Sequence, residues 1–389
     1  MRNTIKHTLM ALALLVTGCT YPFDIEFKES DGRMVVEGNI IIGGRTTIYV
    51  SSLNDLSSDV RKPAPDVSVM IENESGTAFY PTVIGHDTKD ARTLYAFDME
   101  KAPSDTRYRL RIFNKDNQHN YETPWCEVQK GAVIDRLSYI PEPEKARMAI
   151  AISLHSETES YFQWSYEEHW EFHAPYRANC YYIPNPDDGI GSVALFQNGE
   201  NTYYCWSKNN SSELLIFSTE GQKEDRFEDL EFHLIPQTSD KLSILYYIEV
   251  TLQTLSKDCY TYLNNMKSNS DYNGSLFAPT PSEMAGNINC IEDPSEQVIG
   301  FVNCSQVSKA HLFIDNNVTD FYFNPRTALP LPQELSKDVW QFSYYSLNMI
   351  PFSMMEDGSS VQWVDRSCAD CRVNGGTKNK PAFWPNSDK

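Results

Sequence analysis

From Arg33 onward the chain is a succession of short runs in which apolar and polar residues alternate, and these runs predict strands. Met34-Val35-Val36-Glu37-Gly38-Asn39-Ile40 leads to a Gly43-Gly44 turn, and Thr46-Thr47-Ile48-Tyr49-Val50 returns as the second arm of a hairpin. Val67-Ser68-Val69-Met70-Ile71, a turn over Asn73-Glu74-Ser75-Gly76, Ala78-Phe79-Tyr80, Thr93-Leu94-Tyr95-Ala96-Phe97 and Tyr108-Arg109-Leu110-Arg111-Ile112-Phe113 follow. About seven strands at this spacing predict an immunoglobulin-like antiparallel β-sandwich over residues 32–130. Period two puts Arg109 and Arg111 on one face, expected to be the wet one.

Pro141-Glu142-Pro143 punctuates the crossing into a second β-rich region, residues 131–389, expected to be a sandwich or barrel-like. Its strands include Ala149-Ile150-Ala151-Ile152, a long aromatic run from Tyr161 to Phe172, Leu214-Leu215-Ile216-Phe217 and Ile244 to Leu252. One short helix is predicted: Ser256 is a good N-cap, and Tyr260, Leu263 and Met266 recur at helical steps over residues 257–266. No internal repeat or low-complexity segment interrupts the pattern.

The first 31 residues break from this pattern. Arg2 and Lys6 precede an apolar run over residues 9–16, too short to span a bilayer but suited to a signal peptide. Leu15-Val16-Thr17-Gly18-Cys19 resembles the bacterial lipobox, so cleavage after residue 18 and acylation of Cys19 are expected, with 19–31 as a tether. Thr20 follows the cysteine, so the aspartate that retains some lipoproteins at the inner membrane is missing. Lipid on Cys19 is then the expected membrane contact.

Of the chain's 389 residues, the 371 beyond the leader exceed what one core usually holds, which makes two domains the natural count. The net charge is −20, and −22 once residues 1–18 with their two bases and no acids are removed. Such a surface repels nucleic-acid phosphates and anionic headgroups, which argues against nucleic acid as a partner.

Nine cysteines less Cys19 leave eight, an even number suited to an oxidising compartment. Proximity in sequence favours Cys180 with Cys205, Cys290 with Cys304 and Cys368 with Cys371, leaving Cys126 and Cys259. Cys368-Ala369-Asp370-Cys371 runs into turn chemistry at Arg372-Val373-Asn374-Gly375-Gly376, so a structural staple is expected there rather than a redox or zinc site.

His169, Glu171 and His173 are spaced by two and share a strand face, a pattern able to hold zinc, although a solvated polar face is the favoured reading. Glu167 and Glu168 point to opposite faces and do not form an acid–base pair. Asp187-Asp188-Gly189 reads as a turn. No nucleophile elbow, phosphate loop, zincin helix or dinucleotide fingerprint is present, and no cofactor is expected. Trp164, Trp170, Tyr203 and Trp206 are the aromatic ligand-contact candidates, each also suited to a core.

Taken together, Val35-Val36-Glu37-Gly38-Asn39-Ile40, Tyr161-Phe162-Gln163-Trp164-Ser165-Tyr166, Ser256-Lys257-Asp258-Cys259-Tyr260, Pro281-Ser282-Glu283-Met284-Ala285-Gly286-Asn287-Ile288 and the ending Cys368 to Arg372 with Pro381-Ala382-Phe383-Trp384 resemble the Bacteroidetes lipoproteins of domain-of-unknown-function family 4249. Cys259 departs from the family's usual small or acidic residue. The resemblance implies an outer-membrane lipoprotein, facing the cell exterior, that serves as a non-enzymatic accessory or ligand-capture subunit of a TonB-dependent receptor. It carries no catalytic residues. The alternatives are a metal-dependent extracytoplasmic enzyme built on the His169 trio, or a structural or adhesive surface module.

Overall fold

The computed structural model describes residues 32–54, 61–156, 160–187, 189–197, 202–221, 226–272, 286–317, 329–355, 358 and 360–385. The expected signal peptide, Cys19 and the tether lie outside them, as do Asp188 and the Pro281 to Ala285 motif. The molecule is mainly β, 49% strand and 12% helix, in several antiparallel sheets with no closed barrel.

The first layer pair is built from β1 (Met34–Glu37), β2 (Ile40–Ile41), β3 (Arg45–Ser52), β4 (Val67–Asn73), β5 (Ala78–Phe79), β6 (Val83–Asp87), β7 (Arg92–Asp98), β8 (Tyr108–Asn114) and β9 (His119–Glu122). One sheet runs β1-β3-β7-β6, and β9-β8-β4-β5 forms most of the other. Alternation does its expected work: Val67, Val69 and Ile71 of β4 and Tyr108, Leu110 and Ile112 of β8 are buried in one apolar cluster with Ile48, Val50 and Phe97. Arg109 and Arg111 point outward, where Arg109 pairs with Glu72 and, at 2.9 Å, with Glu122.

The second layer pair comprises β10 (Val133–Glu142), β11 (Arg147–His155), β12 (Tyr161–His173), β13 (Cys180–Ile183), β14 (Ser192–Leu195), β15 (Tyr204–Asn210), β16 (Leu215–Ser218), β17 (Arg226–Pro236) and β18 (Leu245–Leu255). A β10-β11-β17 sheet faces a β15-β12-β18-β21 sheet, in which β16 also pairs with β12 and β21 is Val307–Asp315. Between them Ile150, Ile152, Phe162, Trp164, Trp170, Phe172, Ile248 and Val250 form the second core.

Helix α1 (Lys257–Tyr272) starts where expected, with Ser256 Oγ accepting from the Cys259 amide at 3.2 Å, and runs further than the sequence suggested. Its inward residue is Cys259, 1% exposed, and Tyr260 and Leu263 are half-buried; Met266, on the same face as Cys259 but two turns further on, is exposed, so the packed part of the helix ends before it. Two more short helices, α2 (Trp340–Ser346) and α3 (Arg366–Ala369), join β22 (Gln333–Glu334), β23 (Met349–Met354) and β24 (Val361–Asp365) in a small C-terminal layer.

After α1 the chain returns to the first sandwich. β19 (Asn289–Cys290) pairs with β9, and β20 (Cys304–Ser305) pairs in parallel with β2. Ile288, Cys290, Val298, Val302 and Cys304 belong to the first core, although the sequence boundary placed them in the second region. Gly300 is what permits so close a return. Its φ is +134°, and a Cβ there would sit 2.0 Å from the Val36 carbonyl oxygen, so no other residue fits. No helix among the described residues is long and apolar enough to cross a membrane.

Candidate functional site

Strand β12 carries five of the residues singled out by the sequence, and over residues 168–172 it is covered on both faces. One face feeds the second core: Trp164 and Trp170 are 5% and 9% exposed. They are core residues, not ligand contacts, because this face packs against the β10-β11-β17 sheet. On the other face the solvated stripe expected at His169 and Glu171 lies instead beneath the C-terminal residues. Trp384 Nε1 donates to Glu171 Oε2 at 3.0 Å, and the Phe383 ring meets His169 edge-on at 5.1 Å. The Pro-Ala-Phe-Trp ending is therefore a plug on the sheet.

His169, Glu171 and His173 do not converge on a metal. Each has its own partner: His169 meets Glu167 at 2.6 Å, Glu171 meets Trp384, and His173 Nδ1 meets the Ala174 carbonyl at 2.7 Å. The reason is geometric, since residues two apart on a strand are about 6.7 Å apart and their tips can turn to different neighbours. Tyr203 stacks on His173 at 4.6 Å, and Trp206 is half-buried on β15, its amide bonded to the Thr377 carbonyl.

Glu168, dismissed in sequence as one of two adjacent acids, is fully buried. Its carboxylate accepts from Asn209 at 3.0 Å, Lys241 at 2.5 Å, His233 at 3.1 Å and the Tyr246 hydroxyl at 2.8 Å. Burial alone would raise its pKa; the His233, Lys241 and Asn209 donors outweigh that and bring it down to about 2. With its lone pairs engaged and no exposed surface, this carboxylate is suited to tying its strand to four neighbouring elements rather than to moving protons.

The disulfide pattern also differs from the one proximity favoured. Cys205 of β15 is bonded to Cys371, 166 residues away in sequence. Cys180, Cys368, Cys290 and Cys304 are buried free thiols, as is Cys259, and Cys126 is a half-buried one. Pairing by nearness considers only loop length, whereas the returning tail brings Cys371 to β15: its amide bonds the Thr202 carbonyl at 3.0 Å. Gly376 packs on this bridge, and a Cβ there would lie 2.5 Å from Cys205 Cβ and 2.7 Å from the Phe172 ring.

The stapled tail walls a cleft of about 650 Å³ between β13 and the C-terminal layer. Tyr181, Phe196 and Tyr344 line it together with Arg366, Arg372 and Lys378. Arg372 is held bidentately by Asp370, at 2.8 and 2.7 Å. Burial and the neighbouring Arg372 push the Lys378 pKa down. Arg366 differs: its guanidinium lies 4.5 Å over the Tyr344 ring, and its Nε is buried with no hydrogen-bond partner among the described residues. No described carboxylate lies within ion-pair distance of it, and Asp370, the acid in the lining, is taken by Arg372, so the cleft presents cationic hydrogen-bond donors beside aromatic faces in a protein of net charge −20. A second cleft of about 560 Å³ runs beneath α1, and its charged residues are the acids Glu127 and Asp258.

Sequence reading missed this site. The available signal was Arg366 and Arg372 flanking Cys368 and Cys371 in an otherwise acidic chain. Tyr181, Phe196 and Tyr344 gave none, because only the fold brings them together.

Residues 20–311 match the family described as Domain of unknown function (DUF4249). No curated protein matches the sequence. Among solved structures, a DUF4785 family protein from Legionella pneumophila is similar over 57% of this chain and 51% of its own, at 9% identity and a TM-score of 0.18. The chain thus spans about half the length of that protein, and likeness this slight carries no argument.

Proposed function

The chain belongs to the DUF4249 family, and from that premise we propose that it is a lipid-anchored outer-membrane protein, exposed on the cell surface, that captures a ligand for a TonB-dependent transporter and performs no chemistry on it. The observation that carries this reading is the aromatic and cationic cleft at Arg366. A guanidinium with no neutralising carboxylate, held against a tyrosine ring, suits a ligand that joins a carboxylate or phosphate to a flat apolar body. The leader ending at Cys19 supplies the anchoring part of the proposal. A disulfide and a docked tail hold the cleft wall in place before any ligand arrives, which lowers the ordering cost of binding.

Isolation of the intact protein from its own membranes in mild detergent tests the transporter part. A TonB-dependent receptor recovered in comparable amount supports it, and recovery of the lipoprotein alone removes it. Arg366→Gln tests the ligand part separately, because the receptor contact then persists while ligand retention falls about tenfold or more.

A further inference from the structure

We propose that His119, Cys290 and Glu296 form a binding site for a divalent transition metal of the zinc class, at the seam where the returning segment joins the first sandwich. Their ligand atoms all lie within 4.8 Å of one another. His119 Nδ1 is 2.7 Å from Glu296 Oε2 and 3.5 Å from Cys290 Sγ. Tetrahedral zinc, with bonds of about 2.0 Å to nitrogen or oxygen and about 2.3 Å to sulfur, needs ligand atoms about 3.3 to 3.6 Å apart. The histidine–thiol separation already meets that requirement. The histidine–carboxylate pair has to open by about half an ångström, which follows when the proton now shared between them is replaced by the cation.

The surroundings are those of a ligand set rather than a chance meeting. Tyr121 donates to Glu296 Oε1 at 2.5 Å, and Asn117 in turn donates to the Tyr121 hydroxyl at 2.8 Å, which fixes the carboxylate. The Asp293 amide points at Cys290 Sγ at 3.4 Å, a contact that orients the sulfur. Cys290 itself is 3% exposed, whereas the His119 and Glu296 side chains are about one-third exposed, at 31% and 33%, so an ion can enter from solvent. Glu292, whose carboxylate accepts from the Asn120 backbone and side-chain amides at 2.7 and 2.8 Å, is held away from the trio, so the fourth position is left to water. One thiolate, one imidazole and one carboxylate suit zinc better than calcium or magnesium.

The three ligands come from two distant stretches of the sequence, since Cys290 and Glu296 lie 171 and 177 residues beyond His119. A bound ion therefore pins β19 and the turn after it onto β9, and stabilises the fold wherever it binds only the folded state. This proposal is independent of the ligand cleft.

Titration of the chelator-treated mature protein with Co²⁺, then Zn²⁺, tests it. Expected are about one equivalent bound, a thiolate-to-cobalt charge-transfer band in the near ultraviolet, and a rise in melting temperature with zinc. Cys290→Ser abolishes the band and lowers affinity at least a hundredfold, while Cys368→Ser leaves both unchanged. Glu296→Gln keeps the thiol and the core, retains the band at saturation and weakens binding about tenfold or more. Absence of stoichiometric binding, a band that survives Cys290→Ser, or an unchanged affinity in Glu296→Gln overturns the proposal.

Discussion

The two sandwiches solve the same problem in opposite ways. The first keeps its charges outside: Arg109, Glu72 and Glu122 meet on the outer face of β8 with side chains 22%, 16% and 29% exposed. The second places Glu168 at 0% exposure in the middle of its core edge and surrounds it with four donors. In the first, the polar side chains that are buried, such as Thr46, Asn73 and Thr123, are uncharged and bond to nearby backbone amides. In the second, a polar knot adds specificity, joining β12 to β15, β17, β18 and the turn carrying Lys241, at the cost of desolvating a carboxylate.

The largest expected effect breaks this contrast directly. Glu168→Gln leaves the Lys241 ammonium beside an apolar core without its counter-charge, and about 3–5 kcal/mol of stability is expected to go. Glu72→Gln, on the outer face of the first sandwich, is expected to cost under about 1 kcal/mol. Urea unfolding of the two variants reads the difference, and equal losses would erase the distinction drawn between the regions.

Trp384→Ala comes next, at about 3 kcal/mol, because it empties a buried aromatic site and leaves Glu171 without its indole donor. Its effect should appear in the second region alone, as lost hydrogen-exchange protection of β12 and β18. Reduction of the Cys205–Cys371 bridge is expected to cost about 2–4 kcal/mol and to open proteolysis of the tail after Cys371.

Acid sharpens the comparison further. The Glu168 carboxyl is depressed to about 2 in the folded protein from an ordinary 4.5, so its contribution is fully present above pH 4.5 and is lost as pH falls toward 2. The linked stability is about 3 kcal/mol. Six of the seven tryptophans lie beyond residue 160, so tryptophan fluorescence follows the second region. It should change between pH 4.5 and 2 in the wild type, and that step should vanish in Glu168→Gln. Arg109→Gln, the smallest perturbation, should shift neither the acid transition nor stability by more than about 1 kcal/mol.

How far the sequence reveals the fold follows from the same contrast. Alternation in β4 and β8 identifies the first core and its outward arginines correctly, because each strand there has one wet face. The same rule fails on β12. His169 and Glu171 read as a solvated face, yet Phe383 and Trp384 cover them, and a contact spanning 213 residues leaves no mark on a local pattern. The helix start at Ser256 is a local hydrogen bond and is legible; the Cys205–Cys371 bond depends on where the tail returns and is not. Cys290 seemed a disulfide partner because only its nearest cysteine was visible, while His119 and Glu296 reach it through the β9–β19 ladder. The cleft was hidden for the same reason, since its arginines sit on α3 and its following turn while its aromatics come from β13, the residue after β14, and α2.

Native mass spectrometry of the protein released from its own membranes in mild detergent tests the central claim, that the Arg366 cleft holds a ligand, most directly. The expected result is a wild-type population carrying an acidic small molecule, reduced about tenfold or more in Arg366→Gln and unchanged in Arg109→Gln. A wild-type protein that emerges bare, or a bound molecule retained equally by Arg366→Gln, would contradict it.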